Sequence, residues 1–186
     1  RSEIAAAATP GAVDPDGAPL YPGLHKGLRR AEIEARIGKG EAYALRLDMQ
    51  RAVAAAREKL AGRPLTFTEL DDAGEPNARE AQPERWGDAV ILRKDVPASY
   101  HLAVVVDDAR QGITHVTRGR DLYAATDLHR LLQVLLGLPE PLYHHHRLLT
   151  DEAGRKLAKS DGDTGLSALR EAGIPASEIR ARVGLG

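Results

Sequence analysis

Residues 142–160 read LYHHHRLLTDEAGRKLAKS, and the fold turns on them. The apolar and aromatic positions from Tyr143 to Leu149 predict a strand over 143–149. Asp151-Glu152-Ala153-Gly154 supplies the polar residues and the glycine of a tight turn. Two lysines three residues apart follow, Lys156 and Lys159, and then Ser160. A pair of ammonium groups on a loop at the carboxyl end of a strand suits the neutralisation of phosphate charge on a reacting nucleotide. Taken alone, such a pair is equally at home on a solvated surface.

Working outward, DLYAATDLHRLLQVLLG (121–137) has apolar residues at 128, 131, 132, 135 and 136 and closes on Gly137, which predicts an amphipathic helix. Before it, GDAVILRK (87–94), LAVVV (102–106) and ITHVTRG (113–119) read as strands. The middle one is a continuous apolar run of the kind buried on both faces of a parallel sheet. Asp107-Asp108 then reads as part of a turn between strands rather than as a Mg²⁺ site. AYALRLD (42–48) and LTFTEL (65–70) read as further strands, and 27–40 and 49–62 as helices. Residues 1–25 read as a short helical start and a loop, and 71–86 as a polar loop from which no core can be built. Two short helices are predicted at 166–173 and 175–184, the second opening on Pro175. Strand, helix, strand and a loop at the strand ends describe an α/β sheet with its ligand site at the carboxyl edge.

GRKLAKS (154–160) resembles the KMSKS signature loop of class I aminoacyl-tRNA synthetases. GDAVILRKDVPASYHLAVVVDDARQGITHVTRGRDL (87–122) resembles the second half of the catalytic domain of the glutamyl-tRNA synthetase family. The resemblance implies an α/β fold: residues 96–165 as the second half of a Rossmann-like nucleotide-binding domain and 1–95 as an inserted α+β domain of the acceptor-binding type. A short helical tail would occupy 166–186. It also implies the site. Lys159 and Lys156 would stabilise ATP phosphates while a carboxylate attacks the α-phosphorus. Tyr100 and Arg118 would bind glutamate, the guanidinium pairing with its side-chain carboxylate. Asp121 and His145 would lie beside the nucleotide. Ala158 and Ser160 depart from the glutamyl-type pattern KLSKR without changing the charged positions.

Plainer readings of the same residues stand beside these. Tyr100 also fits a core tyrosine, Arg118 a strand-end arginine paired to Asp121, and Asp121 the cap of the helix that follows. His144-His145-His146 cannot serve one ion together, because a strand sends neighbours to opposite faces. Tyr21 and His25 match the second half of the zinc knuckle found in the glutamyl-Q tRNA(Asp) synthetase branch of the family, with His in place of Cys. The other half, a Cys-x-Cys, would lie before Arg1; a tyrosine and a histidine in a loop is the alternative.

That branch lacks an anticodon-binding domain, and this chain ends 26 residues after Ser160. It activates glutamate with ATP and Mg²⁺ and passes it to the queuosine base of tRNA(Asp). An ordinary glutamyl-tRNA synthetase fragment and a non-catalytic tRNA- or ATP-binding paralogue are the competing expectations. The chain begins at Arg1 with Met49 its only methionine, and no His-Ile-Gly-His motif is among its 186 residues. It therefore reads as the remainder of a longer protein.

Composition sets the outer bounds. A 42% apolar share is enough for a core, and no apolar run approaches the roughly 20 residues of a membrane span. With no cysteine there is no disulfide framework, and a cytoplasmic monomer is expected. The net charge of −1 argues against a polycation that coats nucleic acid. Charge is uneven, however: residues 26–63 carry ten Lys/Arg against five Asp/Glu, a local basic face for phosphates or a solvated helix side.

Overall fold

A computed structural model describes residues 2–151, 154–157 and 165–184. The chain divides into two compact units, one of Arg1–Arg118 with Leu122–His145, the other of Gly119–Asp121 with His146–Gly186.

In the first unit the elements run α1 (Ser2–Ala7), α2 (Arg30–Gly38), β1 (Ala44–Arg46), α3 (Met49–Lys59), β2 (Thr66–Leu70), β3 (Pro76–Glu80), a 3₁₀ turn (Pro83–Trp86), β4 (Val90–Arg93), α4 (Tyr100–Gln111), β5 (His115–Gly119), α5 (Ala125–Leu136) and β6 (Leu142–His146). β1 and β4 form an antiparallel pair. The main sheet has the order β3-β2-β6-β5. β2 runs antiparallel to β3 and parallel to β6, with Glu69 opposite Tyr143. Strands from both sides of residue 95 thus share one sheet, so the segment expected to pack beside it contributes two of its strands.

The core lies where α3, the 3₁₀ turn and α5 meet. Met49, Ala52, Val53 and Ala56 present one stripe of α3 to Trp86 and to Leu128, Leu131 and Leu132 of α5. Asp48 caps α3 by accepting the Arg51 N–H. A smaller aromatic cluster joins Phe67 of β2 to Tyr143 of β6, with Tyr123 edge-on to Phe67 at 5.8 Å.

Two expectations are corrected. LAVVV lies within α4, not in a strand, and Asp107-Asp108 is helical with it. A short apolar run does not distinguish strand from buried helix, and the flanks decide. Ser99 accepts the Leu102 N–H at the start, and Gly112, at φ +68°, closes the end. Of the run only Val105 is buried, as one helix face would require. Residues 71–86 are not a coreless loop. Asp71 accepts the N–H groups of Ala73 and Glu75 and turns the chain into β3, and Trp86 beyond it is 4% exposed. The Trp86 indole N–H donates to the Ala124 carbonyl at 3.2 Å.

In the second unit a 3₁₀ turn (Arg120–Leu122) overlaps Gly119–Asp121, and two helices, α6 (Leu166–Glu171) and α7 (Ala176–Arg182), lie near the predicted positions. Asp151 accepts the Arg155 N–H and pairs with its guanidinium at 3.0 Å, with Gly154 in the left-handed region. Thr150 and Lys156 face each other across this turn. Among the described residues no helix is long and apolar enough to cross a membrane.

Candidate active site

β5 delivers Arg118, β6 delivers His145, and the first two turns of α5 deliver Thr126 and His129. The guanidinium donates from all three nitrogens: Nε to His145 Nε2 at 3.1 Å, Nη1 to His129 Nδ1 at 3.2 Å and Nη2 to Thr126 Oγ1 at 2.7 Å. Arginine has no acceptor and keeps its protons, so the direction of every bond is fixed. His145 offers its Nε2 lone pair and carries its proton on Nδ1. That proton goes to Glu69 Oε2 at 2.8 Å, while Glu69 Oε1 accepts the His145 backbone N–H at 3.0 Å.

The same logic runs the other way from Arg118. His129 accepts on Nδ1, so its proton sits on Nε2 and is donated to His101 Nδ1 at 3.1 Å. His101 Nε2 then faces Asp16 across 3.9 Å. Burial, helped by the Arg118 charge, pushes His129 down to about 2, so it stays neutral and remains an acceptor. Burial also lowers His101, against the pull of Asp16 and Asp14. The result is a positive charge held by three neutral acceptors. Through these imidazoles the cluster reaches two carboxylates, Glu69 behind His145 and Asp16 behind His129 and His101, and the Arg118 charge also acts on Asp108. Among the described residues no carboxylate forms an ion pair with Arg118.

Tyr100 and Arg118 converge on His129. Tyr100 opens α4, is 53% exposed, and its ring lies 5.9 Å from that of His129. It is thus neither a core tyrosine nor a residue before a strand. The N-cap of α5 is Ala124, not Asp121. A cavity of about 690 Å³ opens beside Tyr100 and His101, with Asp16, Tyr21, Arg46 and Arg93 also in its walls.

The histidine run alternates as a strand requires. His145 is 5% exposed, His144 reaches the Leu70 carbonyl on the other face, and His146 is exposed. Tyr21 and His25 do come together: the Tyr21 hydroxyl accepts the His25 backbone N–H at 2.7 Å and bonds its Nδ1 at 3.1 Å. Two donors that bond each other are half a zinc site, and no group of three or more His, Cys, Asp or Glu suited to a metal exists among the described residues. The residues present do not by themselves fit zinc.

In the second unit Lys156 forms an ion pair with Asp121, both side chains partly exposed. The Asp121 carboxylate presses against Gly119, where a Cβ would collide with it and would also meet Leu148 at 3.1 Å. Lys159 and Ser160 lie outside the described residues.

Glu69, His101, Thr126 and His129 escape a reading by motif. Their signal is polarity in apolar places. Thr126, His129 and Gln133 make a polar stripe at spacings of three and four on the apolar face of α5, and Glu69 alternates with Phe67 on the buried face of β2.

The family model for tRNA synthetases class I (E and Q), catalytic domain, matches residues 21–185, a span that takes in every one of the groups above except Asp14 and Asp16. The chain belongs to this family. It is 42% identical over 179 residues to the glutamyl-Q tRNA(Asp) synthetase of Rhodobacter capsulatus, covering 91% of this chain and 60% of that protein. The protein of the same name from Symbiobacterium thermophilum is 37% identical over 170 residues, covering 91% of this chain and 48% of its own length. The chain thus spans about half to three-fifths of these relatives. The crystal structure of glutamate-tRNA synthetase from Elizabethkingia anophelis superposes with a TM-score of 0.54 at 23% identity, covering 88% of this chain and 30% of that one. The fold is that of a class I synthetase catalytic domain, with α/β architecture and a partly parallel sheet.

Proposed function

We propose that this chain is the glutamate-selecting and phosphate-stabilising part of a glutamyl-Q tRNA(Asp) synthetase. The enzyme condenses glutamate with Mg²⁺-ATP to glutamyl-adenylate, releasing pyrophosphate, and transfers the glutamyl group to the queuosine base of tRNA(Asp). The observation that carries this reading is the Arg118 guanidinium held by neutral acceptors. Its orientation is fixed and its charge is uncancelled by contact, which suits the capture of a ligand carboxylate. Two N–H groups on the Nη nitrogens remain for that carboxylate, and Tyr100 supplies a hydroxyl and an apolar wall.

The nucleophile is the substrate's own carboxylate, so the protein's work is positioning and electrostatics. Lys156 and Lys159 are the phosphate-stabilising cations, and Asp121 is the resting partner that Lys156 leaves. The family resemblance supports nucleotide-binding roles for Asp121 and for His145. A zinc ion at Tyr21 and His25 needs two further donors, and no step depends on one. Catalysis in this family also draws on a His-Ile-Gly-His motif, so activity belongs to the full-length protein. The test is glutamate transfer by that protein to queuosine-bearing tRNA(Asp) against tRNA(Glu). Transfer to the first supports the reading; transfer only to the second makes the chain part of an ordinary glutamyl-tRNA synthetase.

A further inference from the structure

Glu69 touches neither Arg118 nor the cavity wall, yet both of its oxygens are spent on one residue. One takes the backbone N–H of His145 and the other its ring N–H, at 3.0 and 2.8 Å. Both groups are buried, the His145 side chain completely. A neutral imidazole has two tautomers, and only the one protonated on Nδ1 leaves Nε2 able to accept the Arg118 Nε–H and the Thr126 hydroxyl. With the proton on Nε2 instead, two donors would face each other at 3.1 Å. The carboxylate is thus the device that selects the tautomer, as an outer-shell acceptor does for a metal-bound histidine.

We infer that Glu69 is a positioning residue for amino-acid recognition: acting through His145, it locks the plane of the Arg118 guanidinium toward a ligand carboxylate. This deepens the glutamate reading and rests on it for the ligand, although the tautomer lock stands on the geometry alone. Glu69→Gln is the informative substitution because it keeps shape and size. Two N–H groups then meet one amide, which has a single oxygen. Either the ring flips its proton to Nε2, or one N–H faces the amide's NH₂. Where the ring flips, Arg118 loses its acceptor; where an N–H faces the NH₂, His145 is held by one contact instead of two.

Two measurements test this separately. Nitrogen-15 NMR of the histidine rings in the full-length protein reads the tautomer with no ligand present. The expected result is an Nδ1-protonated, Nε2-unprotonated His145 in the parent, and a shift toward the other tautomer or an exchanging mixture in Glu69→Gln. A parent His145 protonated on Nε2, or an unchanged ring in the variant, overturns the lock. In the full-length protein, pyrophosphate exchange should show the KM for glutamate raised on the order of tenfold in Glu69→Gln, equivalent to ~1.4 kcal/mol, with the KM for ATP unchanged. Glu69→Asp, which keeps both acceptors, should recover part of it. Equal rises in both KM values would mean general damage and would also overturn the inference. A parent without glutamate-dependent exchange, beside a tautomer set as expected, would sink the glutamate reading and leave the lock standing.

Discussion

Arg118 and Lys156 are both cations placed for anionic partners, and the protein holds them in opposite ways. Arg118 is half-buried and bonded to His145, His129 and Thr126, none of which carries charge. Lys156 is exposed and its ammonium already rests on the carboxylate of Asp121. A surface ion pair of this kind is worth about 0–1 kcal/mol, so a phosphate can take the ammonium away at little cost. Rearranging the Arg118 cluster would strand several buried polar atoms at ~1–3 kcal/mol each. The first cation is therefore built to stay and select, the second to change partner.

The largest expected effect comes from deleting the fixed cation. Arg118→Ala should raise the KM for glutamate by on the order of 100-fold, ~2.7 kcal/mol, with far less effect on ATP. Arg118→Lys should recover little, because a single ammonium cannot serve three spread acceptors and a carboxylate together. Steady-state pyrophosphate exchange by the full-length protein reads both.

A third cation separates stability from binding. Arg85 pairs at 2.6 Å with Asp127, whose side chain is 3% exposed and whose carboxyl is raised by burial against the pull of Arg85. Arg85→Ala should destabilise the fold by about 2 kcal/mol in urea titrations, reduced from a fully buried pair because Arg85 is partly in water. The deficit should shrink as pH falls, since protonated Asp127 needs no cation. Glutamate affinity should not follow it.

Next is the pH dependence of the cluster. His129 is held near 2 in the folded chain against an ordinary 6.5, so the unfolded chain binds the extra proton between those values. Its contribution is whole above pH ~6.5 and is lost as pH falls, at about 1.4 kcal/mol per unit. Comparing urea midpoints at about pH 7 and pH 5.5 should show this slope, and His129→Gln should flatten it. The smallest effect belongs to the exchanging cation: Lys156→Ala should alter stability by less than about 0.5 kcal/mol while slowing adenylate formation.

The same contrast governs what could be read from the sequence. Helices α3 and α5 and strands β2 and β5 follow from periodicity and glycine stops, because burial on one face leaves a pattern. Residues 102–106 do not, since five apolar residues in a row carry no period; Ser99 and Gly112 made the helix. Trp86 was hidden by the prolines and charges around it, although a lone tryptophan in a polar stretch is itself a sign of burial. Tyr100, Arg118, Asp121, His145 and Lys156 are singled out in the sequence only by the family resemblance. Glu69, Thr126 and His129, which orient Arg118 together with His145, carry no such signal: Glu69 and His145 are 76 residues apart and meet only when β2 pairs with β6.

The most direct measurement is pyrophosphate exchange driven by glutamate and by glutamine, in the parent full-length protein and in Arg118→Ala. A guanidinium left open for a carboxylate predicts a strong preference for glutamate in the parent, by on the order of 100-fold, that collapses toward parity in the variant. A preference that survives the loss of Arg118 intact would contradict the role assigned to it.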